Sequence, residues 1–306
     1  MSGNLLLLGA AHVHLPDHLR VAESEGWRVA AIHDRDPDRR AHMAGQLDAR
    51  ALRDLPEAAD WDAAIVCSET AFHEEDIGHA LDLGLPVFSE KPLAGGAGAA
   101  TRLAERAERG GARLVTNYFL RTNRAVAALG DALGAGRLGD VLEARFRFAH
   151  DGGFADWLDV TGWMSDPALA CHGGFADEGV HMLDLALEML GPLSPVALVQ
   201  GHALGLDVDD HGTALLRTRA AAPVTIEAGW TDAEMRLEID VVGTLGHAAL
   251  DRSGLILRGR DGSETGCRAD PLDAGAGFRT FLRGGSLGTP RQAAAVSAVI
   301  DALEGR

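Results

Sequence analysis

Gly9–His18 reads GAAHVHLPDH and follows directly on the apolar run Asn4–Leu8, NLLLL. Two readings of this stretch exclude each other. Two histidines one residue apart at the end of a first strand are what a metal-dependent hydrolase barrel uses to hold zinc. A glycine at the same point, turning the chain into a helix, is what a dinucleotide-binding fold uses to approach a pyrophosphate. The barrel requires further ligands on later strands and eight strand–helix repeats, and no such series is found along the chain. His12, His14 and His18 are therefore read as helix-start and surface histidines, with no metal site, and the stretch is taken as a phosphate loop.

The rest of the sequence bounds what such a loop can serve. A chain of 306 residues suits two domains, on a prior of roughly 150 residues each. With 46% hydrophobic and 24% charged residues, a packed core is available. The net charge of -17 repels phosphate backbones and anionic lipid, which argues against nucleic acid and membrane as partners. An anionic cofactor must then be held locally, by backbone N–H groups at a helix start. Cys67, Cys171 and Cys267 lie far apart without a CxxC pair, so neither a disulfide framework nor a cysteine zinc site is expected. No basic segment precedes Leu5–Leu8, which is itself too short for a signal or membrane helix, so a cytoplasmic protein is expected.

Through the first 120 residues, continuously apolar runs (NLLLL, WRVAAIHD, DAAIVCSE, LPVFSE, ARLVTNYF) alternate with helical stretches such as AGAATRLAERAERGG. That is the βαβ pattern of a parallel sheet buried on both faces. After Arg121 the segments VLEARFRFAH, VALVQGHAL, GTALLRTR, VTIEAGWT, RLEIDVVGT and GLILRG read as antiparallel strands, interrupted by the helix EGVHMLDLALEMLG. The expected architecture is α/β plus α+β. Residues 1–120 are expected to form a Rossmann dinucleotide-binding domain, and residues 121–306 a second, substrate domain on a mainly antiparallel open sheet. The last helix, PRQAAAVSAVIDALEG, is a candidate to pack back on the first domain.

The loop itself keeps one glycine of three: GxGxxG would require Gly where Ala11 and His14 stand. Ala11 is small enough to let the backbone near a pyrophosphate, at some cost in closeness. WRVAAIHD delivers Asp34 to the end of the second strand, where a carboxylate can accept hydrogen bonds from the adenosine ribose. A solvated turn residue is the competing reading of Asp34. An added ribose phosphate about 4 Å from that carboxylate would be repelled by roughly 4 kcal/mol per charge pair at an effective dielectric of about 20. NAD is favoured over NADP, with Arg35 partly offsetting the preference.

Two later motifs carry the chemistry. PVFSEKPLA ends a strand in Glu90-Lys91-Pro92, and GGFADEGVHMLD holds Asp177, His181 and Asp184. With the loop in front, VCSETAFHEE, TNYFLRTN and DVDDHGTALLR, they make the chain similar to the Gfo/Idh/MocA oxidoreductases over nearly its whole length. The resemblance implies that Lys91, Asp177 and His181 are catalytic. It places the cofactor on Gly9, Ala11, His12, Val13, Asp34, Arg35, Cys67, Ser68, Glu69, His73, Glu90 and Lys91. It places a sugar or polyol on Asn117, Tyr118, Arg121, Trp157, Trp163, Asp177 and His181.

The residue chemistry agrees. Pro92 holds Lys91 extended at the carboxyl end of a strand, where open α/β sheets bind ligands. Asp177 and His181 share a helix face if the helix includes both. An imidazole can take the hydroxyl proton of an alcohol while hydride leaves its carbon, and Lys91 can stabilise the alkoxide. Competing readings are a core histidine beside Val180, Leu183 and Leu187, and tryptophans packed in the core or an interface. Asp184 is read as a structural partner. The expected function is an NAD(P)-dependent dehydrogenase acting on a sugar, cyclitol or related secondary alcohol. A non-catalytic dinucleotide sensor and an NAD-assisted, redox-neutral glycoside hydrolase are the alternatives. A homodimer or homotetramer is implied by the resemblance alone.

Overall fold

The computed structural model describes residues 2–58, 60–155 and 157–306. They fall into two compact units. The first holds the chain up to Phe119 with Ala168–Cys171 and Asp273–Ser297; the second holds Leu120–Pro167, His172–Leu272 and Ala298–Arg306.

In the first unit, strand β1 (Gly3–Leu8) runs into helix α1 (Leu15–Ser24), then β2 (Trp27–His33), α2 (Pro37–Leu47), β3 (Arg50–Leu52) and β4 (Ala63–Val66). Helix α3 (His73–Asp82), β5 (Val87–Ser89), α4 (Ala97–Gly110) and β6 (Leu114–Thr116) follow. All six strands are parallel in the order β3-β2-β1-β4-β5-β6. This is the doubly wound order, and β1 and β4 flank the point where the winding reverses, the place such sheets bind ligands. Leu5–Leu8 and Ala63–Val66 are at most 2% exposed, because helices cover both faces of the central strands. Asp36 starts α2 by accepting the N–H groups of Asp38 and Arg39, with Pro37 in the first turn.

The second unit begins with helix α5 (Arg124–Gly134) and strand β7 (Val141–Ala149). A one-turn helix α6 (Pro167–Ala170) precedes the long α7 (Gly174–Leu190). Strands β8 (Leu193–Gly201), β9 (His211–Thr218), β10 (Pro223–Gly229), β11 (Arg236–Gly243), β12 (Gly246–Leu250), β13 (Gly254–Gly259) and β14 (Glu264–Arg268) complete an eight-stranded sheet. Its order is β14-β13-β12-β11-β7-β10-β9-β8, antiparallel except where β7 and β10 run parallel. Alternate residues of β9 and β11 are buried, and α7 covers the inner face at β7, β9 and β10. The opposite face carries ion pairs of Arg145 and Arg147 with Glu227, Asp232 and Glu238.

Two further helices, α8 (Ala276–Leu282) and α9 (Pro290–Glu304), close the chain. Helix α8 belongs to the first unit, where Phe278 and Phe281 pack 4.9 and 5.7 Å from the Phe88 ring. No helix among the described residues is long and apolar enough to cross a membrane.

The start of α7 is held by the loop before β9. Asp209 accepts the Gly174 N–H on its backbone oxygen at 2.6 Å and the Phe175 N–H on its carboxylate at 2.7 Å. That approach leaves no room for a side chain: a Cβ on Gly174 would sit 2.6 Å from the Asp210 carbonyl oxygen. Gly174→Ala is expected to cost about 1–3 kcal/mol, the usual penalty of forcing atoms into a packed site. Urea unfolding would show it as a lower midpoint, and an unchanged midpoint would refute the packing argument.

Candidate active site

The loop after β1 has the geometry of a nucleotide turn with one donor in reserve. Gly9 lies at φ +72, and a Cβ there would fall 2.2 Å from the Ser68 Cα, so glycine is required twice over. Gly9 N–H donates to His33, Ala10 to Asp34, Ala11 and His12 both to the Cys67 carbonyl, His14 to His12 Nδ1 and Leu15 to His12. Val13 N–H alone in this run makes no hydrogen bond among the described residues, and Val13 is 43% exposed. Facing the turn, the Ser68 hydroxyl is buried without a hydrogen-bond partner among the described residues. A dinucleotide phosphate fits such a site, because Val13 N–H and Ser68 Oγ would gain the partners they lack. Ala11 and Cys67 serve the loop's own closure through their backbones.

Asp34 sits differently from its sequence reading. It is 1% exposed, and both carboxylate oxygens are engaged inside the protein. Oδ2 accepts from Ala10 N–H and Arg39 Nε, and Oδ1 from Asp36 N–H and Arg39 Nη2. Four bonds fill the usual capacity of a carboxylate, so the solvated-turn reading is corrected and a ribose can reach Asp34 only in exchange for Arg39. Arg39 also donates to Glu69 at 2.6 Å. Arg35 is likewise committed, to Asp76 and Glu75, with its guanidinium 4.1 Å over the Phe72 ring. His73 is fully buried, its ring nitrogens facing the carbonyls of Pro92 at 2.8 Å and Ser68 at 3.2 Å, which ties the Lys91-Pro92 turn to the Ser68 loop.

The histidines read as surface residues converge instead on Glu90. His18 is 0% and His12 4% exposed, against the expectation; His14 is half-buried. His18 Nε2 donates to Glu90 Oε1 at 2.5 Å, while His14 Nδ1 and His12 Nε2 lie 3.4 and 3.6 Å from its two oxygens. Asn117 Nδ2 and Lys91 N–H donate to Glu90 as well. Burial works to raise the Glu90 carboxyl, but the surrounding histidines outweigh it and hold it well below the ordinary range. Burial likewise pushes His12 well below its usual value. Asn117, expected at the substrate, is thus spent inside the fold, donating also to the Ala274 carbonyl, and Tyr118 is only 2% exposed. Beside Glu90, Lys91 is 3% exposed at the carboxyl end of β5.

In the second unit, α7 includes both Asp177 and His181, so they share a face one turn apart. Asp177 Oδ2 accepts the Trp230 indole N–H at 2.8 Å, and His181, 1% exposed, lies edge-on to Phe148. Glu178 on the same helix pairs with buried His150 at 3.2 Å. Neither His150 nor Trp230 stood out in the sequence, since each reaches α7 from a distant strand end. Trp157 is 50% exposed and lies 4.5 Å from the His150 ring; Trp163 packs against the small core of Leu158, Met164, Val208 and Trp230. Arg121 makes a two-pronged pair with buried Asp184 at 2.6 and 2.7 Å and reaches Glu188, so it too holds the fold.

These features define a two-unit dinucleotide enzyme class: a Rossmann unit with a nucleotide turn, and an open-sheet unit presenting an acid–histidine helix. Comparison with known proteins agrees. The family described as "Oxidoreductase family, NAD-binding Rossmann fold" matches residues 4–118, and the "GFO/IDH/MocA C-terminal domain" matches residues 126–249. An inositol 2-dehydrogenase of Acidothermus cellulolyticus is 30% identical over 84% of this chain and 75% of its own length. The inositol 2-dehydrogenase 2 of Saccharopolyspora erythraea is 32% identical over 60% of this chain, which spans about half, 51%, of that relative. A levoglucosan dehydrogenase solved with NADH and levoglucosan shares the fold, with a TM-score of 0.83 at 17% identity, covering 100% of this chain and 97% of its own. The chain belongs to the GFO/IDH/MocA oxidoreductase family.

The Glu90 cluster has a consequence for acid stability. A buried imidazole held well below 6.5 stays neutral in the folded protein, whereas the unfolded chain takes up that proton near pH 6.5. Stability should therefore fall as pH drops below about 6.5, since the unfolded state then binds more protons. His12→Asn should flatten this part of the curve in urea unfolding at pH 5 and pH 7. A wild-type midpoint that does not change between these values would contradict the burial of a neutral His12.

Proposed function

We propose that the protein is an NAD-dependent dehydrogenase that moves hydride between the nicotinamide and a carbinol carbon of a sugar, cyclitol or related secondary alcohol. The observation that carries this reading is a buried lysine, Lys91, at the ligand-binding edge of a parallel sheet whose turn keeps an uncommitted N–H and a partnerless buried hydroxyl. Val13 N–H and Ser68 Oγ would hold the dinucleotide, which when bound would supply the hydride acceptor.

His181 takes the hydroxyl proton, an imidazole being able to do so near neutral pH. Lys91 stabilises the developing alkoxide by charge and hydrogen bonding. Asp177, fixed by the Trp230 indole, orients the imidazole or a substrate hydroxyl. The first unit is thus assigned to the cofactor and the second to the substrate. A polyhydroxylated ring is supported by the relatives named as inositol 2-dehydrogenases and by the levoglucosan dehydrogenase. Half-exposed Trp157 offers an aromatic face to such a ring. A dinucleotide sensor has no use for Lys91, Asp177 and His181 together.

Lys91→Ala should lower turnover on the true substrate at least about a hundredfold, the usual scale for charge-stabilising and acid–base groups. A variant that keeps most of its activity would break the mechanism. Cofactor choice is set by Asp34 through Arg39. Arg39→Ala should uncover the carboxylate and widen the preference for NADH over NADPH at least about fivefold, roughly 1 kcal/mol. Fluorescence titration with both cofactors reads this, and a narrower ratio would show that Arg39 itself selects NADH.

A further inference from the structure

The hydride-transfer reading leaves the histidines around Glu90 without a task. His12, His14 and Glu90 each offer one ligand atom, and the three atoms lie within 4.8 Å of one another. The His14 and His12 nitrogens stand 3.4 and 3.6 Å from the Glu90 oxygens. Ligands about 2.0 Å from a tetrahedral ion are roughly 3.3 Å apart, so small side-chain shifts suffice to close the set on a cation. Glu90 is already oriented by His18, Asn117 and the Lys91 N–H, the kind of outer hydrogen bonds that fix a coordinating carboxylate. His14 Nδ1 is buried and makes no hydrogen bond among the described residues, and coordination would complete its contacts.

We propose that His12, His14 and Glu90 form a binding site for a transition-metal dication of the zinc type, with His18 holding Glu90 from behind. Two imidazoles and one carboxylate suit zinc, cobalt or nickel; magnesium and calcium take oxygen donors. A fourth position remains for water. The neighbouring Lys91 ammonium opposes the dication, so affinity falls below that of a dedicated structural zinc site. The site stands on its own geometry, whether or not the function proposed above holds.

The test is a titration of the EDTA-treated full chain with Co²⁺, followed by visible absorption, and displacement with Zn²⁺. The expected result is one Co²⁺ per chain with the strong bands of a four-coordinate ion. His14→Ala and Glu90→Gln should weaken it at least tenfold, while the exposed His42→Ala leaves it unchanged. Circular dichroism checks the fold, and His14→Gln stands in if either variant is misfolded. Absence of stoichiometric binding in the wild type, or equal affinity after His14 is replaced, overturns the proposal. NADH is titrated alongside. Binding of NADH without cobalt removes the metal site and keeps the dehydrogenase; binding of cobalt without NADH does the reverse.

Discussion

A single buried carboxylate organises the cofactor unit. Glu90, fully buried, is reached by His18, Asn117 and the Lys91 N–H, with His12 and His14 close by. An isolated ion there would be expensive to bury, and several hydrogen-bond donors make it tolerable. Those donors come from α1, from the end of β5 and from the segment after β6. Glu90 thereby joins the strand ends on both sides of the winding reversal and fixes where Lys91 begins.

The same logic repeats at the carboxyl end of β2. Asp34 is closed by Arg39, Ala10 and Asp36, and Arg39 continues to Glu69 beside Ser68. Loops at this edge are thus laced by charge-assisted hydrogen bonds. Such bonds are strong individually and intolerant of losing one partner. The second unit uses a different device. Its α7 is positioned by Asp209 at the helix start and by Trp230 on Asp177, so that His181 sits on a helix set by packing as well as by polar contacts.

Much of the architecture was legible in the sequence because it rests on local pattern. Continuous apolar runs meant strands buried on both faces, and the change of pattern after Arg121 meant a mainly antiparallel open sheet. The turn at Gly9 was equally local. What escaped was pairing between residues far apart in the chain. His18 and Glu90 are 72 positions apart, Arg121 and Asp184 are 63, and Asp177 and Trp230 are 53. Nothing in the spacing of HVHLPDH shows that its imidazoles meet a carboxylate, so they read as surface residues. Asn117 and Arg121 stood at positions suited to a substrate, yet buried carboxylates claim both.

In the proposed reaction, hydride passes directly from a substrate carbon to the nicotinamide. Single-turnover incubation of the protein and NAD with a panel of carbon-deuterated cyclitols and sugars, followed by mass analysis of the cofactor, tests it most directly. Reduced cofactor carrying one deuterium is expected with at least one polyol, and none in the Lys91→Ala variant. Reduced cofactor without deuterium, or no reduction across the panel despite saturable NADH binding, would contradict it.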